Sequence, residues 1–458
     1  MDIFLDPDAG TGLAAQIYAQ IRDGILEGRL RPGDRLPPSR ELAATLGVSR
    51  HTVTTAYGRL VAEGYLDGRR GGSTVVSSLL VPSAAPPPAP RVLPSPRPPG
   101  PIAYDLRAGT PDRRLFPAAA WARCLRRAVD AHDGGYGDPA GDAGLRAALA
   151  AWIGRSRGVV ADPAQVVVTS GAQQALYLLV RVVARAGDVV AVEDPGYPPF
   201  RAMAEAAGAR CVPVLVDDEG LLVDAVPEEA RLVYVTPTHQ FPSGVTLSLR
   251  RRLALLDLAR RRGALVVEDD YDSELRYVDR PLEPLFRLDR AGVVAYVGTF
   301  SKVLSPALRL GFAVLPHALV DDVVALRRLV DWAPAGTEQL ALRELITHGL
   351  LDRHLRRARR VYAGRHRQVV AALQRLAASG AVAPPASNAG LHVGVRLRDG
   401  VDEAALLARL VARGIALHGF GSCALAAAAP GLVLGFGRIA DEQLPGALDA
   451  LGEVLTTT

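Results

Sequence analysis

A single lysine is the first residue whose type suggests chemistry. Of the 53 basic residues, Lys302 is the only lysine. Arginine does not lose its proton in a protein, whereas a desolvated lysine can become a neutral amine that attacks a carbonyl group. Thr299, Ser301 and Arg309 flank it in GTFSKVLSPALRLGF, and such groups bind phosphate. Lys302 is therefore a candidate nucleophile beside a phosphate site, although chance survival of one lysine would give the same count.

A carboxylate and a phenol follow an apolar run in VVEDDYDSELRY. Pyridoxal 5'-phosphate needs one carboxylate to keep its ring nitrogen protonated, so that the ring can accept electrons. Asp269 could supply that carboxylate, and Tyr271 could donate to the ring's 3-oxygen. An acidic metal site or a solvated loop is the alternative. No histidine is near in the sequence, so a transition metal is not expected, while magnesium stays possible.

Two further segments fit a phosphorylated ring. In VVVTSGAQQAL a strand passes through Ser-Gly into a helix, whose first N–H groups, near Gly171, Ala172 and Gln173, favour an anion. In EDPGYPPF, Tyr197 is available to stack on a flat ring. Taken alone, the segment VVVTSGAQQAL would be interpreted as an ordinary strand–helix turn.

Buried strands that alternate with helices would position these residues. This alternation predicts an α/β domain with a mostly parallel sheet, whose functional residues lie just past the strand ends. The helices include 172–184 and 249–261. The predicted strands are 166–169, 189–193, 232–236, 265–269 and 293–297.

The 458 residues divide at a proline-rich stretch. Residues 83–101 read SAAPPPAPRVLPSPRPPGP, which is typical of a linker stiffened toward polyproline II. We expect a small domain over 1–78, a linker over 79–101 and a large domain over 102–458. No apolar run is long enough to span a membrane, and the acidic N-terminus lacks a signal pattern. Together with three widely spaced cysteines, this predicts a cytoplasmic protein without a membrane partner.

The small domain has the pattern of a winged helix-turn-helix of α+β class. It holds nine arginines and nine acids, so only the local placement of charge can indicate DNA. Ser39 is expected to cap a helix over 40–46, Gly47 to make the turn and Ser49 to cap the next helix. That helix carries Arg50, which could pair with guanine, and DGRRGGSTVV reads as a wing. A three-helix protein-interaction domain is the alternative.

Residues 13–66, which contain GRLRPGDRLPPSRELAATLGVSRHTVTTAYGRLVAEGYL, resemble the winged helix of the GntR family. The resemblance implies that Arg40, Arg50 and Thr52 face a double-stranded DNA operator. It also places Arg69 and Arg70 in the wing.

Residues 102–458 resemble a fold-type I aminotransferase with a small C-terminal subdomain, and the whole chain resembles the MocR/GabR-type regulators. The resemblance implies that Lys302 carries pyridoxal 5'-phosphate as an internal aldimine. It further implies a homodimer in which Tyr136 reaches the partner's phosphate, with each DNA-binding domain near the other subunit's large domain. The implied cofactor contacts are Asp269 on the ring nitrogen, Tyr271 on the 3-oxygen, Tyr197 against the ring, and Arg309, Thr299, Ser301, Gly171, Ala172 and Gln173 on the phosphate.

Two positions depart from the aminotransferase pattern. Phe241, in TPTHQFPSG, stands where many aminotransferases carry asparagine, and Val433, in GLVLGFGRI, stands where an arginine grips the substrate carboxylate. Arg438 is near but shifted, and Arg107, Arg201 and His239 are candidate pocket residues.

The favoured function is a regulator, not an enzyme, that senses an amine, an amino acid or pyridoxal phosphate itself. The alternatives are an active aminotransferase with an attached DNA domain and a cofactor-free regulator that uses the fold as a dimer scaffold. The arginine-rich stretch 352–367 is favoured as a solvated helix face, with a DNA backbone contact as its alternative.

Overall fold

The computed structural model describes residues 3–68, 74–78, 101–277, 283–426 and 429–456. Two compact units make up the chain, Met1–Pro96 and Arg97–Thr458. The division falls within the segment predicted as a linker, of which residues 79–100 lie outside the described part. The linker therefore stays a prediction.

The first unit consists of three helices and a two-stranded antiparallel hairpin around a core that includes Ile17, Ile21, Val53 and Leu60. Buried positions recur every three or four residues along the two longer helices, as at Val53, Ala56, Tyr57 and Leu60, and this gives each of them one apolar face for the core. The elements are α1 (Leu13–Leu26), α2 (Ser39–Leu46), α3 (Arg50–Ala62), β1 (Leu66–Asp67) and β2 (Val75–Val76).

The turn between α2 and α3 follows the sequence prediction except at one cap. Gly47 adopts a φ of 64°, and the Ser49 hydroxyl accepts a hydrogen bond from the backbone N–H of Thr52. The prediction for Ser39 was wrong, because Ser39 is the first residue of α2 and makes no capping bond. Pro38 takes the N-cap position instead, where its fixed φ suits the extended backbone that precedes a helix.

The second unit is built on an eight-stranded sheet with the order β4-β11-β10-β9-β8-β5-β6-β7. The sheet is mostly parallel, as predicted. The strand β11 runs antiparallel to both neighbours, and the short edge strand β7 runs antiparallel to β6. The strands are β4 (Val166–Thr169), β5 (Val189–Asp194), β6 (Arg210–Asp217), β7 (Gly220–Leu221), β8 (Ala230–Val235), β9 (Leu265–Asp270), β10 (Val294–Thr299) and β11 (Gly311–Val314), after a short β3 (Tyr104–Asp105).

Helices cover this sheet, and the strands' Val and Leu side chains form continuous cores with them. Among the described residues no helix is both long and apolar enough to cross a membrane. The helices of this part are α4 (Ala118–Ala131), α5 (Ala143–Arg157), α6 (Ala172–Val183), α7 (Pro198–Ala206), α8 (Leu249–Arg262), α9 (Leu285–Leu288), α10 (His317–Val330), α11 (Gly336–Thr347) and α12 (Leu350–Ala378).

The C-terminal part forms a smaller layer around a three-stranded sheet of order β12-β15-β14. The strand β13 pairs in parallel with β3, which ties the start of the second unit to its end. The elements are β12 (His392–Arg396), α13 (Glu403–Ala412), β13 (Ile415–Ala416), β14 (His418–Gly419), β15 (Gly431–Gly435) and α14 (Leu444–Thr456).

Candidate cofactor site and nucleic-acid interface

A cavity of about 230 Å³ lies where β8, β9 and β10 end. This is the edge at which parallel α/β sheets bind their ligands. Most of the predicted cofactor residues line it, although they come from segments far apart in the sequence. The lining residues that the sequence predicted are Ala172, Gln173, Tyr197, Asp269, Tyr271, Thr299, Ser301, Lys302 and Arg309.

Lys302 presents its amine inside this cavity. The amine donates a 2.8 Å hydrogen bond to the carbonyl oxygen of Gly109. Burial lowers the pKa of Lys302, and the carboxylates of Asp272 and Asp269 oppose that shift. A lowered pKa increases the fraction of neutral amine, which is the nucleophilic form.

Gly109 is a site residue that sequence analysis missed. Its φ of 93° lies in the left-handed region that favours glycine, and a Cβ atom there would lie 3.1 Å from the Lys302 Nζ. Only its place in RAGTPD, between a short strand and a loop, could have marked it.

Replacing Gly109 with alanine should prevent normal placement of the Lys302 amine, because the backbone becomes strained and the added methyl group crowds Nζ. We expect Gly109→Ala to lose at least nine-tenths of the visible absorbance that bound pyridoxal phosphate gives. Gly364→Ala is the matched control, since no described atom outside the adjacent backbone of its own helix lies within 4 Å of the new methyl group and its φ is ordinary. Equal absorbance in both variants would contradict the assigned role.

Asp269 offers one carboxylate oxygen to the cavity's deep end. Its Oδ2 accepts a 2.8 Å hydrogen bond from the Tyr234 hydroxyl, whereas its buried Oδ1 has no partner among the described residues. A buried oxygen without a partner is costly, and a protonated ring nitrogen would satisfy it. Burial raises the pKa of Asp269 to about 7, and the Tyr234 hydrogen bond opposes the shift. The carboxylate that the cofactor requires is therefore present and unpaired.

The raised pKa of Asp269 predicts a pH-dependent stability of the cofactor-free protein. A carboxyl group with a pKa near 7 when folded and 3.8 as its ordinary value binds a proton more tightly in the folded chain. The stabilisation that this tighter proton binding gives the folded chain is complete below pH 3.8 and is lost as the pH rises through 7. Thermal unfolding at pH 5.5 and at pH 8 measures this effect. Between these pH values the free energy of unfolding should fall by about 2 kcal/mol more in wild type than in Asp269→Asn. Identical losses in both proteins would contradict this prediction.

The opposite end of the cavity has the character of a phosphate cradle. The helix α6 begins after Gly171, whose φ is 89°, and no side chain caps its free N–H groups. A Cβ atom on Gly171 would lie 3.1 Å from the guanidinium of Arg309. Thr299 and Ser301 add two hydroxyl groups that lie 3.0 Å from each other. Helix N–H groups, a guanidinium and two hydroxyls together form a site for a phosphate dianion.

Aromatic rings line the cavity between its two ends. Tyr197 and Phe241 meet edge to face with their centroids 5.9 Å apart. The Tyr271 hydroxyl lies 2.8 Å from the backbone carbonyl of His239, to which it donates in this structure. Phe241 has no polar group, so Tyr271 would be the donor to the cofactor's 3-oxygen at this side of the cavity, once its hydroxyl turns away from the His239 carbonyl.

Two histidines lie beside the acidic segment, so the expectation of no nearby histidine was wrong. His239 and His392 come from distant segments and form a buried group with Asp272 that could hold a metal ion. His239 is already engaged, with Nδ1 3.0 Å from Asp272 and Nε2 3.1 Å from Ser387. Burial lowers the pKa of His392 well below its usual value. In this structure His239 forms a hydrogen-bonded network with Asp272, Ser387 and Tyr271, whereas the buried His392 Nε2 has no partner among the described residues.

Several other predicted residues do not reach the cavity. The Tyr136 side chain is exposed and packs on Trp332, with 5.4 Å between ring centroids. Arg107 and Arg438 both bind Asp105. Arg201 donates to the carbonyl of Ala424, and Val433 is buried in β15. Among the residues that line the cavity, Arg309 is the one arginine.

The first unit presents the expected basic residues. Arg40 and Arg50 are exposed, at the starts of α2 and α3, and the Arg50 Nε lies 3.5 Å from the Ser39 hydroxyl. Thr52 is half-buried, and its hydroxyl is 2.8 Å from that of Ser49. Arg69 and Arg70 lie outside the described residues.

Comparison with known proteins agrees with both units. Residues 13–76 match the family of bacterial regulatory proteins of gntR type, and residues 104–440 match aminotransferase class I and II. The probable rhizopine catabolism regulatory protein MocR of Rhizobium meliloti is 39% identical over 393 residues, which cover 81% of this chain and 79% of that protein. This chain belongs to the MocR-type transcription regulators.

A second regulator and a solved aminotransferase structure are also similar to this MocR-type regulator. The pyridoxine biosynthesis transcriptional regulator PdxR of Corynebacterium glutamicum is 35% identical, with 81% of this chain and 80% of that protein covered. Among solved structures, a kynurenine aminotransferase of Pyrococcus horikoshii is similar, with a TM-score of 0.73 and 28% identity over 78% of this chain and 91% of that one. The regulator thus joins a gntR-type DNA-binding region to a fold-type I aminotransferase domain.

Proposed function

We propose that this regulator binds pyridoxal 5'-phosphate at Lys302 and senses an amine, an amino acid or the cofactor itself through that group. The observation that carries the proposal is the unpaired Oδ1 of Asp269 in the same cavity as a buried amine and a phosphate cradle. These three features match the three functional groups of the cofactor: its ring nitrogen, its aldehyde and its phosphate.

Bound pyridoxal phosphate would supply an electrophilic carbon that captures primary amines. The chain's own residues hold and orient it. Lys302 provides the attachment point, and Asp269 holds the proton of the ring nitrogen. Tyr271 donates to the 3-oxygen, while Tyr197 covers the ring. The phosphate falls to Gly171, Ala172, Gln173, Thr299, Ser301 and Arg309.

A regulator fits this cavity better than a working aminotransferase does. Phe241 and Val433 replace the asparagine and arginine expected of such enzymes, and the nearby arginines are engaged elsewhere. An effector changes DNA binding only if it binds two states of the protein with different affinity. Capture of an amine at Lys302 would provide that difference.

The proposal extends to assembly and DNA contact. A homodimer, with each DNA-binding domain near the other subunit's large domain, would bring Tyr136 to the partner's phosphate. Tyr136 is exposed and packs on Trp332, and Leu329, three residues before Trp332, is 85% exposed. These exposed apolar side chains support an interface at this place. Arg40, Arg50 and Thr52 would contact the operator, and the protein would act in the cytoplasm.

The test is DNA binding titrated with pyridoxal phosphate and with a panel of primary amines and amino acids. The purified protein should be yellow and should bind DNA from upstream of its own gene with an affinity that an effector changes. Lys302→Ala should lose the colour and the response while it still binds DNA. A colourless wild type that takes up no added cofactor would overturn the proposal. Sustained turnover of an amino donor and a keto acid would favour the aminotransferase instead.

A further inference from the structure

One exposed face of the long helix α12 carries six arginines. Its other face is buried through residues such as Leu351, Leu355 and Tyr362. At about 100° per residue, the exposed arginines fall within roughly 100° of arc and extend over about 33 Å. We call this surface the basic face; it consists of Arg353, Arg356, Arg357, Arg360, Arg367 and Arg375, all exposed.

The arginines of the basic face have no carboxylate partners within the described part of the chain. Arg360 makes a hydrogen bond only to the carbonyl of Arg356 in its own helix. The single acid of α12, Asp352, accepts instead from the Trp152 indole. Six cations thus share one helix face without an anion.

Several exposed arginines in other helices have acid partners. Arg59 is an exposed arginine with an acid four residues away, since its Nε lies 2.9 Å from Glu63. Arg260 and Arg261 of α8 both bind Asp257 at 2.9 Å. The sequence therefore supplies partners for surface arginines in many places but not on α12.

Unpaired arginines at these spacings repel one another. Like charges three or four residues apart destabilise a helix by about 0.2–0.5 kcal/mol per pair, and Arg353, Arg356, Arg357 and Arg360 form four such pairs. A polyanion laid along the helix would turn this repulsion into attraction. Guanidinium groups are well suited to phosphates, which they bind with two parallel hydrogen bonds.

We propose that the basic face binds the phosphate backbone of duplex DNA, in addition to the operator contact made by the winged helix. The length of the face, about 33 Å, is close to one turn of the double helix at roughly 34 Å. Contacts to phosphates carry no sequence information, so this surface adds affinity for DNA that flanks the operator. The inference rests on the DNA binding of the proposed function.

The test uses the full-length protein and a charge-matched pair of variants. The triple variant Arg356→Gln, Arg357→Gln, Arg360→Gln removes three charges from the basic face. The control variant Arg250→Gln, Arg260→Gln, Arg261→Gln removes three charges from exposed, acid-paired positions of α8. Thermal unfolding midpoints verify that both fold. The probes are a short upstream duplex, the same duplex with 30 added base pairs on each side, and an unrelated duplex of the longer length.

Wild type should bind the longer upstream duplex about 10-fold more tightly than the short one. The basic-face variant should lose that gain and bind the unrelated duplex more weakly. In a plot of the logarithm of its binding constant against the logarithm of salt concentration, the slope should be smaller in magnitude by about 3. The control variant should behave as wild type does. Equal losses of DNA affinity in both variants would overturn the proposal. Loss of transcription control without any change in DNA binding would also overturn it and would indicate an acidic protein partner. If no upstream sequence is preferred, the proposed operator reading fails, while the unrelated duplex still tests the basic face.

Discussion

Asp269→Asn should bind pyridoxal phosphate about 100-fold more weakly than wild type. The substitution keeps the size of the side chain but removes the charge that holds a proton on the ring nitrogen. Hydrogen bonds to charged groups contribute about 1.5–3 kcal/mol, and 1.4 kcal/mol corresponds to a factor of ten. The loss should be large because the carboxylate is buried and its Oδ1 has no other partner. Equilibrium titration of the cofactor-free protein by visible absorbance measures it.

Tyr234→Phe is the graded control for this substitution. It removes the 2.8 Å hydrogen bond to the other carboxylate oxygen and leaves the charge in place. A net hydrogen bond is worth about 1 kcal/mol, so the expected loss is about five-fold. If Asp269→Asn and Tyr234→Phe weakened binding equally, or neither did, Asp269 would not be the partner of the ring nitrogen.

Arg50→Ala should weaken binding to the upstream DNA by about 10-fold or more for each bound subunit. Arg50 is exposed at the first turn of α3, the part of a recognition helix that reaches base edges. A bidentate arginine–guanine contact contributes about 1–3 kcal/mol, and its loss should also relax the choice of base at one position. Binding to a set of duplexes with single base changes measures both effects.

The matched control for Arg50 is Arg29→Ala. Arg29 is also an exposed arginine of the same unit, and it is paired with Glu27 at 2.6 Å. The Arg29→Ala substitution removes the same charge as Arg50→Ala, so a purely electrostatic effect would weaken DNA binding in both variants. A loss confined to Arg50→Ala, and specific for sequence, supports direct reading of a base. Equal and sequence-independent losses would contradict it.

Local patterns predicted much of this fold. The apolar runs that became β4, β8, β9 and β10 begin and end within two residues of the predicted bounds, because a strand buried on both faces is a continuous apolar run. The antiparallel strand β11 was not predicted. It follows Lys302 closely within a segment dominated by site residues, and its direction depends on pairing with β4 from another part of the chain.

The cavity-lining residues that sequence analysis predicted are those carried by a local motif. Gly109, Tyr234 and Asp272 were missed, since each acts through a partner far away in sequence. The separation between Gly109 and Lys302 is 193 residues. The two histidines beside Asp272 were not connected with it for the same reason, because nearness in sequence was used where only nearness in space matters.

The hydrogen bond from Lys302 to Gly109 joins the Lys302 amine to the N-terminal segment of the large unit. Gly109 lies eight residues beyond position 101, where the predicted linker ends, and the intervening chain includes β3, which is fixed to β13. Any event that occupies the amine withdraws the donor from the Gly109 carbonyl. The first segment that follows the connection to the DNA-binding domain would then lose one hydrogen bond that holds it. A chemical change at the Lys302 nitrogen would in this way alter the part of the chain next to that connection.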